Sequence, residues 1–477
     1  MLDNWISHSS NEWLVCENSH QFLQIVENLY LQLIESKQNE KIPNIFLVER
    51  QPVDFIASLI AAITAKCPIF ICNPDWQYQE WQQVFDLVTP DIIWGQEIPD
   101  KQKIIPNQIS AQEQFSLSDS QFSPIMIPTG GSSGKIKFAI HTWETLTASS
   151  QGFQKYFQIP QVNSVCVLPL HHVSGLMQFI RCFTSNGKLV ILPFRELENY
   201  QLKKYQRYNI DHSKFFISLV PTQLQRLIQK SNLNRWLSQF KTVLLGGAPA
   251  WDELLSKARY YNIPLALTYG MTETASQIAT LKPEDFLKGK LGCGQVLPHA
   301  KVYISNDNKY KLKSNKIGKL NIDAQSLFLG YYPYIRNKDE SLKVDDLGLL
   351  DEEDYLYVMG RDSDKIITGG ENVYPLEVES AIRQTKMVSD ICVIGVADKI
   401  WGEAVTAIYV PKSTDITSLE LKNQLTVKIS KFKIPKYWIP VSSLGRNSQG
   451  KINRQKLHEI ARDKLSLHLT KSQNPKS

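Results

Sequence analysis

A chain of 477 residues, 43% of them hydrophobic, is too long for one hydrophobic core and carries apolar material for two or three packed units. Its 53 Lys+Arg are nearly balanced by 47 Asp+Glu with the signs interspersed, so the net charge of +6 speaks against a nucleic-acid-binding role. The seven cysteines form no C-x-x-C pair and no Cys/His cluster at zinc spacing, which sets aside a disulfide framework and a structural metal and favours a reducing, cytoplasmic compartment.

The opening MLDNWISHSSNEWLV lacks the basic and apolar regions of a signal peptide. The run IPNIFLVE reads as a buried strand. The most apolar stretch, Phe55 to Ala65, stops at Lys66 and falls short of the roughly 20 residues that span a bilayer. It reads as a buried helix, and no stable membrane insertion is expected. PIFICNP, SVCVLPL, KLVILPF, KFFISLV and KTVLLGG follow as further buried strands between helical patterns, the signature of parallel sheets covered by helices. Several of these runs end in Pro or Gly and pass into polar loops, where open α/β sheets hold their ligands. Past Lys290 the texture changes to short alternating segments, KVYIS, GKLNI and YLYVMG, consistent with a β-type subdomain. After Gly360-Arg361 the order changes again: a helix from about Pro375 to Gln384, strands at Asp390–Val396 and Ala404–Val410, and a helix from Ser418. That order suits a small α+β domain. The residues from about Leu467 are polar and read as a frayed tail.

After the strand-like Ser123–Pro128 comes Thr129-Gly130-Gly131-Ser132-Ser133-Gly134-Lys135-Ile136-Lys137. Glycines let backbone N–H groups approach phosphate oxygens, hydroxyls add donors and the lysines neutralise charge, so the run reads as a phosphate cradle. It departs from the Walker pattern, because Thr129 and Ile136 stand where Gly and Ser or Thr are needed. Taken alone, such a run is as often an ordinary flexible connection.

The motifs that accompany it resemble the family of acyl- and aryl-CoA synthetases, adenylation domains and luciferases, from about residue 20 to about residue 465. Thr129–Lys137 is similar to that family's phosphate loop, with Ile136 replacing a Pro. Pro169-Leu170-His171-His172-Val173-Ser174-Gly175 is similar to P-L-F-H-x-x-G, and Tyr269-Gly270-Met271-Thr272-Glu273 to Y-G-x-T-E. Asp346-Leu347-Gly348 resembles the T-G-D-x-G element, although Val344-Asp345 replace Thr-Gly. Gly360–Ile367 with Gly369–Pro375 resembles the interdomain motif, and Asn447–Ile452 resembles P-R-x-x-x-G-K-I with Gly445 in place of Pro.

The resemblance implies an α/β fold: a large N-terminal domain of stacked α/β sheets over residues 1–360, with a β subdomain at 290–360. A hinge at 361–364 would join it to a small, mobile α+β C-terminal domain at 365–466, and 467–477 would form the tail. It implies ATP, Mg²⁺ and coenzyme A as co-substrates and cofactor. Thr129, Gly130, Gly131, Ser132, Ser133 and Gly134 would cradle phosphates, with Lys137 neutralising charge. Gly247 and Ala248 would border the adenine, Tyr269 would lie against it, and Gly270 would belong to the same nucleotide site. Thr272 would contact phosphate and Glu273 would hold Mg²⁺; outside the motif, Glu273 would read as a helix-start glutamate. Asp346 and Arg361 would bind ribose hydroxyls, Lys451 would meet the α-phosphate and the acid's carboxylate, and Ser363 would be the hinge residue. His172 and Ser174 would lie at the acid-binding site, with His172 also among the catalytic residues.

For the acid, the stretch from His172 to Arg181 is informative. A helix opened by Ser174 or Gly175 places Arg181 near the interior, among Leu176, Met177 and Ile180. A buried charge requires an anionic partner, either a protein carboxylate or a second carboxylate on the substrate, unless the side chain snorkels to the surface. With SLVPTQLQRL and TYGMTETASQIATL, the pattern resembles the 2-succinylbenzoate:CoA ligase subfamily of menaquinone and phylloquinone synthesis, whose substrate is an aromatic dicarboxylic acid. Ligases of other aryl or fatty acids, and stand-alone adenylation domains that load a carrier protein, are the alternatives. Oligomeric state is not legible, which leaves a homodimer open.

Overall fold

The computed structural model describes residues 13–37, 42–98, 123–130, 135–199, 210–306, 310–446 and 452–472. Two α/β sheets form the bulk of the N-terminal region. One has five strands in the order Ile92–Gly95, Ile45–Val48, Ile69–Ile71, Ile125–Gly130, Ile136–His141, parallel except for the last. The other has eight, running Leu14–Val15, Leu189–Ile191, Asn163–Cys166, Phe215–Leu219, Thr242–Leu245, Leu265–Met271, Ser276–Thr280, Gln295–Val296; it is parallel as far as Leu265–Met271 and antiparallel beyond.

The helices Phe22–Lys37, Pro52–Thr64 and Val173–Thr184 share one core with strands of both sheets, so they form a layer sandwiched between them. The sequence of Pro52–Thr64 explains its place there. Proline opens it, Asp54 sits in its first turn, and ten of its residues are buried. It stops at Ala65, where Lys66 takes a left-handed φ of 54°. A helix apolar on all sides is stable only when enclosed, and each fully buried Ile or Phe contributes about 1.5–3 kcal/mol. The outer face of the eight-stranded sheet is covered by Pro221–Ile228, Ser231–Leu237 and Asp252–Tyr260, and that of the five-stranded sheet by Tyr78–Leu87.

A four-stranded antiparallel sheet follows, formed by Ala300–Ser305, Gly318–Ala324, Leu342–Leu350 and Leu356–Arg361. A last sheet contains Glu371–Val373, Ile366–Thr368, Gly402–Pro411, Val388–Asp398 and Tyr437–Pro440, covered by Pro375–Arg383 and Ser418–Leu425 on one face and by Arg454–Ser472 on the other. It touches the large region where the Arg383 guanidinium lies 5.0 Å from the Trp251 ring and where Asp252 accepts from the side chains of Ser380 and Gln384. The fold class is as the resemblance implied.

Two local expectations differ, and one strand went unread. The helix carrying Arg181 starts at Val173, with His172 as its N-cap residue, rather than at Ser174 or Gly175. Leu342–Leu350 is a strand despite its two aspartates and its glycine, because strands pair with it on both sides. The helix Arg454–Ser472 continues past Leu467, where a frayed tail was expected. Among the described residues, no helix is long and apolar enough to cross a membrane.

Candidate active site

Strand Leu265–Met271 runs into a 3-10 turn, Thr272–Thr274, and reverses into Ser276–Thr280. Ala275 and Ser276 sit at φ 49° and 82°, a region that costs a non-glycine residue about 1–3 kcal/mol and persists only when its surroundings over-determine it. They do. The Thr272 carbonyl accepts from His141 Nε2 at 2.8 Å, Glu273 from Phe328 N at 2.9 Å and Thr274 from Ser326 Oγ at 2.9 Å. Ala275 accepts from Ser149 Oγ at 2.7 Å, and Ser276 from Thr274 Oγ1 at 2.6 Å. Five successive carbonyls are thus held, by His141 at the end of Ile136–His141, by Ser149 of the helix Trp143–Phe157, by Ser326 and Phe328 after the strand Gly318–Ala324, and by Thr274 of the turn itself. Because His141 Nε2 faces a carbonyl, that nitrogen carries the proton. Burial pushes the His141 pKa down to about 4 against the opposing Thr272 bond, so the ring is neutral.

The turn presents Glu273, 9% exposed, to Tyr331, whose hydroxyl donates to Oε1 at 2.6 Å. Burial, reinforced by the Glu273 charge, raises the Tyr331 pKa and keeps the phenol protonated. Lys137 lies with Nζ 4.9 Å from the Tyr331 ring centroid, so Tyr331 joins the cation and the carboxylate. Lys137 pairs across the hairpin with Thr129, and a Cβ added at Gly130 would meet nothing within 4 Å. The glycine-rich run therefore joins the two strands of this hairpin at the end beside Lys137. Gly131, Ser132, Ser133 and Gly134 lie outside the described residues, as does Lys451.

On the other side of the turn, a Cβ at Gly246 would come 2.3 Å from Thr268 Oγ1, and Gly247 takes φ 80°; with Ala248 they leave the strand end bare. Gly270 is equally constrained, since a Cβ there would come 2.0 Å from the Ser276 carbonyl. Tyr269 donates its hydroxyl to Asp346 Oδ2 at 2.5 Å, and Arg361 Nε approaches Asp346 Oδ1 at 3.8 Å from the directly paired strand position. Burial raises the Asp346 pKa while Tyr269 and Arg361 oppose it. Asp345, its neighbour, accepts from the backbone N–H and the hydroxyl of Ser363.

Arg181 is 3% exposed. One guanidinium nitrogen donates to Ser276 Oγ at 3.2 Å, the group lies 4.4 Å from the Phe153 ring centroid, and Nε has no partner among the described residues. Burial pushes its pKa down to about 10, leaving it charged at neutral pH. No carboxylate pairs with it among the described residues. Ser174, half-buried as the second residue of the same helix, accepts from Gln178 through its carbonyl at 3.1 Å, and the His172 and His171 rings meet edge to face with centroids 4.3 Å apart.

The structure thus brings together Lys137, Thr272, Glu273 and Arg181 around one turn, with Tyr269, Asp346 and Arg361 beside it. His141, Tyr331, Ser276 and His299 went unread in the sequence. Glu273 offers a hard oxygen ligand, and the lysines, hydroxyls and bare glycines suit polyphosphate, so the residues fit ATP with Mg²⁺.

Residues 32–332, more than half of the chain, match the model of the AMP-binding enzymes, and residues 377–451 match that of the AMP-binding enzyme C-terminal domain. The 2-succinylbenzoate–CoA ligase of Oceanobacillus iheyensis is 35% identical over 61% of this chain and 60% of that protein. The ligase of the same name from Listeria monocytogenes serovar 1/2a is 34% identical over 69% and 68%. In fold, the chain resembles the Bacillus subtilis o-succinylbenzoate CoA synthetase (MenE) solved with its acyl-adenylate intermediate OSB-AMP, with a TM-score of 0.78 at 24% identity over 93% of this chain and 94% of that one. The chain belongs to the AMP-binding enzyme family, among its AMP-forming CoA ligases.

Proposed function

We propose that this chain converts 2-succinylbenzoate, ATP and CoA to 2-succinylbenzoyl-CoA, AMP and pyrophosphate, in menaquinone or phylloquinone synthesis and in the cytoplasm. The observation that carries the substrate is Arg181: a buried cation beside the Glu273 turn, with an orphaned Nε and no carboxylate partner among the described residues. An aromatic dicarboxylic acid supplies that partner with its ring carboxylate, while His172 and Ser174 line the approach.

The succinyl carboxylate then attacks the α-phosphorus of ATP, and pyrophosphate leaves. Catalysis of this step is positioning and charge neutralisation. Lys137 and Lys451 face the phosphates, the Thr272 hydroxyl binds one, and Tyr331 keeps the Glu273 carboxylate aimed. Mg²⁺ on Glu273 neutralises phosphate charge when bound. Gly247, Ala248 and Tyr269 hold the adenine, and Asp346 and Arg361 the ribose. In the second step the CoA thiolate attacks the acyl carbonyl and AMP leaves, after residues 365–466 rotate about the hinge at 361–364, with Ser363 as pivot.

Pyrophosphate release with and without CoA tests this, comparing 2-succinylbenzoate with benzoate, a coumarate and a medium-chain fatty acid. Selective, CoA-dependent thioester formation from 2-succinylbenzoate is expected. Equal turnover of a monocarboxylate would remove the substrate argument, and adenylation without CoA transfer would favour loading of a carrier protein.

A further inference from the structure

Beside Arg181 stands a second buried polar group that the protein leaves unused. His299 is 7% exposed, and among the described residues neither ring nitrogen has a hydrogen-bond partner. Its backbone is tied down, the carbonyl accepting from Gln325 N at 3.1 Å just before strand Ala300–Ser305. The imidazole occupies the space left by Gly152 in the helix Trp143–Phe157, where an added Cβ would come within 1.9 Å of Nδ1. A glycine in mid-helix is unfavourable, so room for this ring is obtained at a cost to the helix. Phe153, the next residue, carries the Arg181 guanidinium on its face. Among the described residues, Arg181 is the charged group that acts on His299; burial, and then that charge, push the His299 pKa down to about 4. The neutral ring has one N–H, which can meet an anion without adding positive charge beside the guanidinium.

We propose that His299 is a specificity-determining residue: its N–H and the Nε–H of Arg181 together receive the ring carboxylate of the dicarboxylic acid, one on each oxygen. The proposal rests on the substrate reading above. Among the described residues both groups are otherwise unpaired in the buried interior, a condition that native structures rarely leave without a ligand or ordered water. Arg181 comes from the helix Val173–Thr184 and His299 from the loop before Ala300–Ser305, so donors from two walls orient the carboxylate plane, which a lone cation would not.

The test compares KM in pyrophosphate release for 2-succinylbenzoate and for benzoylpropionate, which lacks the ring carboxylate. The variants are His299→Leu, His299→Asn, Arg181→Met and Gly152→Ala. His299→Leu should raise KM for 2-succinylbenzoate about ten- to hundredfold relative to benzoylpropionate. His299→Asn, which keeps a donor, should recover most of that discrimination, and Gly152→Ala, which displaces the ring, should lose it. Turnover of benzoylpropionate reports that each variant has folded. If His299→Leu and Gly152→Ala leave the discrimination intact while Arg181→Met abolishes it, the role of His299 is overturned and the dicarboxylate reading stands. If Arg181→Met leaves it intact as well, both fall. An equal KM rise for both acids in His299→Leu would mark a merely structural ring and also overturn the proposal.

Discussion

Replacing Arg181 by methionine separates two accounts of a buried cation. The fall of its pKa to about 10 corresponds to a penalty of about 3 kcal/mol on the charged form. Against it stand the bond to Ser276 Oγ at 3.2 Å, worth about 1.5 kcal/mol from a charged donor, and the Phe153 face at 4.4 Å, worth about 2 kcal/mol when desolvated. These nearly cancel, so Arg181→Met should leave the stability of the free enzyme within about 1 kcal/mol of the parent. Removing one member of a buried ion pair would instead cost about 3–5 kcal/mol. With the dicarboxylic acid the outcome reverses: a lost charge-assisted contact of about 1.5–3 kcal/mol raises KM roughly 10- to 150-fold. Urea denaturation of the free enzyme and pyrophosphate release with 2-succinylbenzoate measure the two quantities. Destabilisation by several kcal/mol with an unchanged KM would show that Arg181 serves a protein carboxylate and refute the reasoning.

Tyr331→Phe removes the 2.6 Å bond to Glu273, and the Mg²⁺ concentration for half-maximal adenylation should rise about tenfold with little change in melting temperature; an unaltered Mg²⁺ titration would contradict the aiming role. His141, His171 and His299 are each held neutral with pKa values near 4, against 6.5 in the unfolded chain, chiefly by burial. Their contribution is complete above pH 6.5 and is lost as pH falls toward 4, at about 1.4 kcal/mol per pH unit for each. Urea midpoints measured from about pH 7 to pH 5 should therefore fall steeply, and His141→Gln should make the slope shallower by about 1.4 kcal/mol per pH unit. Lys451→Ala should abolish adenylate formation while sparing thioesterification of supplied 2-succinylbenzoyl-adenylate; equal loss of both would sink its assigned role.

The strands of the two large sheets were legible because a strand buried on both faces is a continuous apolar run, as in IFLV at Ile45–Val48 and TVLL at Thr242–Leu245. Leu342–Leu350 was not, since Asp345, Asp346 and Gly348 break the pattern and its pairing partners supply what its own residues do not. The motif residues Thr272, Glu273, Tyr269, Asp346 and Arg361 were found through family resemblance. What holds them was not found, because the partners are remote in the chain: His141 and Thr272 are 131 residues apart, Tyr331 and Glu273 58. His141 ends an alternating strand like any other polar residue, and Tyr331 stands in the aromatic run Tyr331-Tyr332-Pro333-Tyr334, where nothing local singles out one ring. Burial of Arg181 could be read from helical periodicity, whereas the orphaned ring of His299 could not, since its isolation is a property of the packed interior.

The five clamped carbonyls between Thr272 and Ser276 also bear on when the enzyme becomes competent during its own synthesis. Two of the clamps, Ser326 and Phe328, are made more than fifty residues after Glu273. Until they emerge, the strained geometry at Ala275 and Ser276 lacks two of the five bonds that sustain it. Folded helices and strands in the first half can thus accumulate without exposing a working nucleotide site. Adenylation activity is consequently a late, all-or-none reporter of assembly, and in unfolding experiments its loss should coincide with loss of the central sheets rather than precede it.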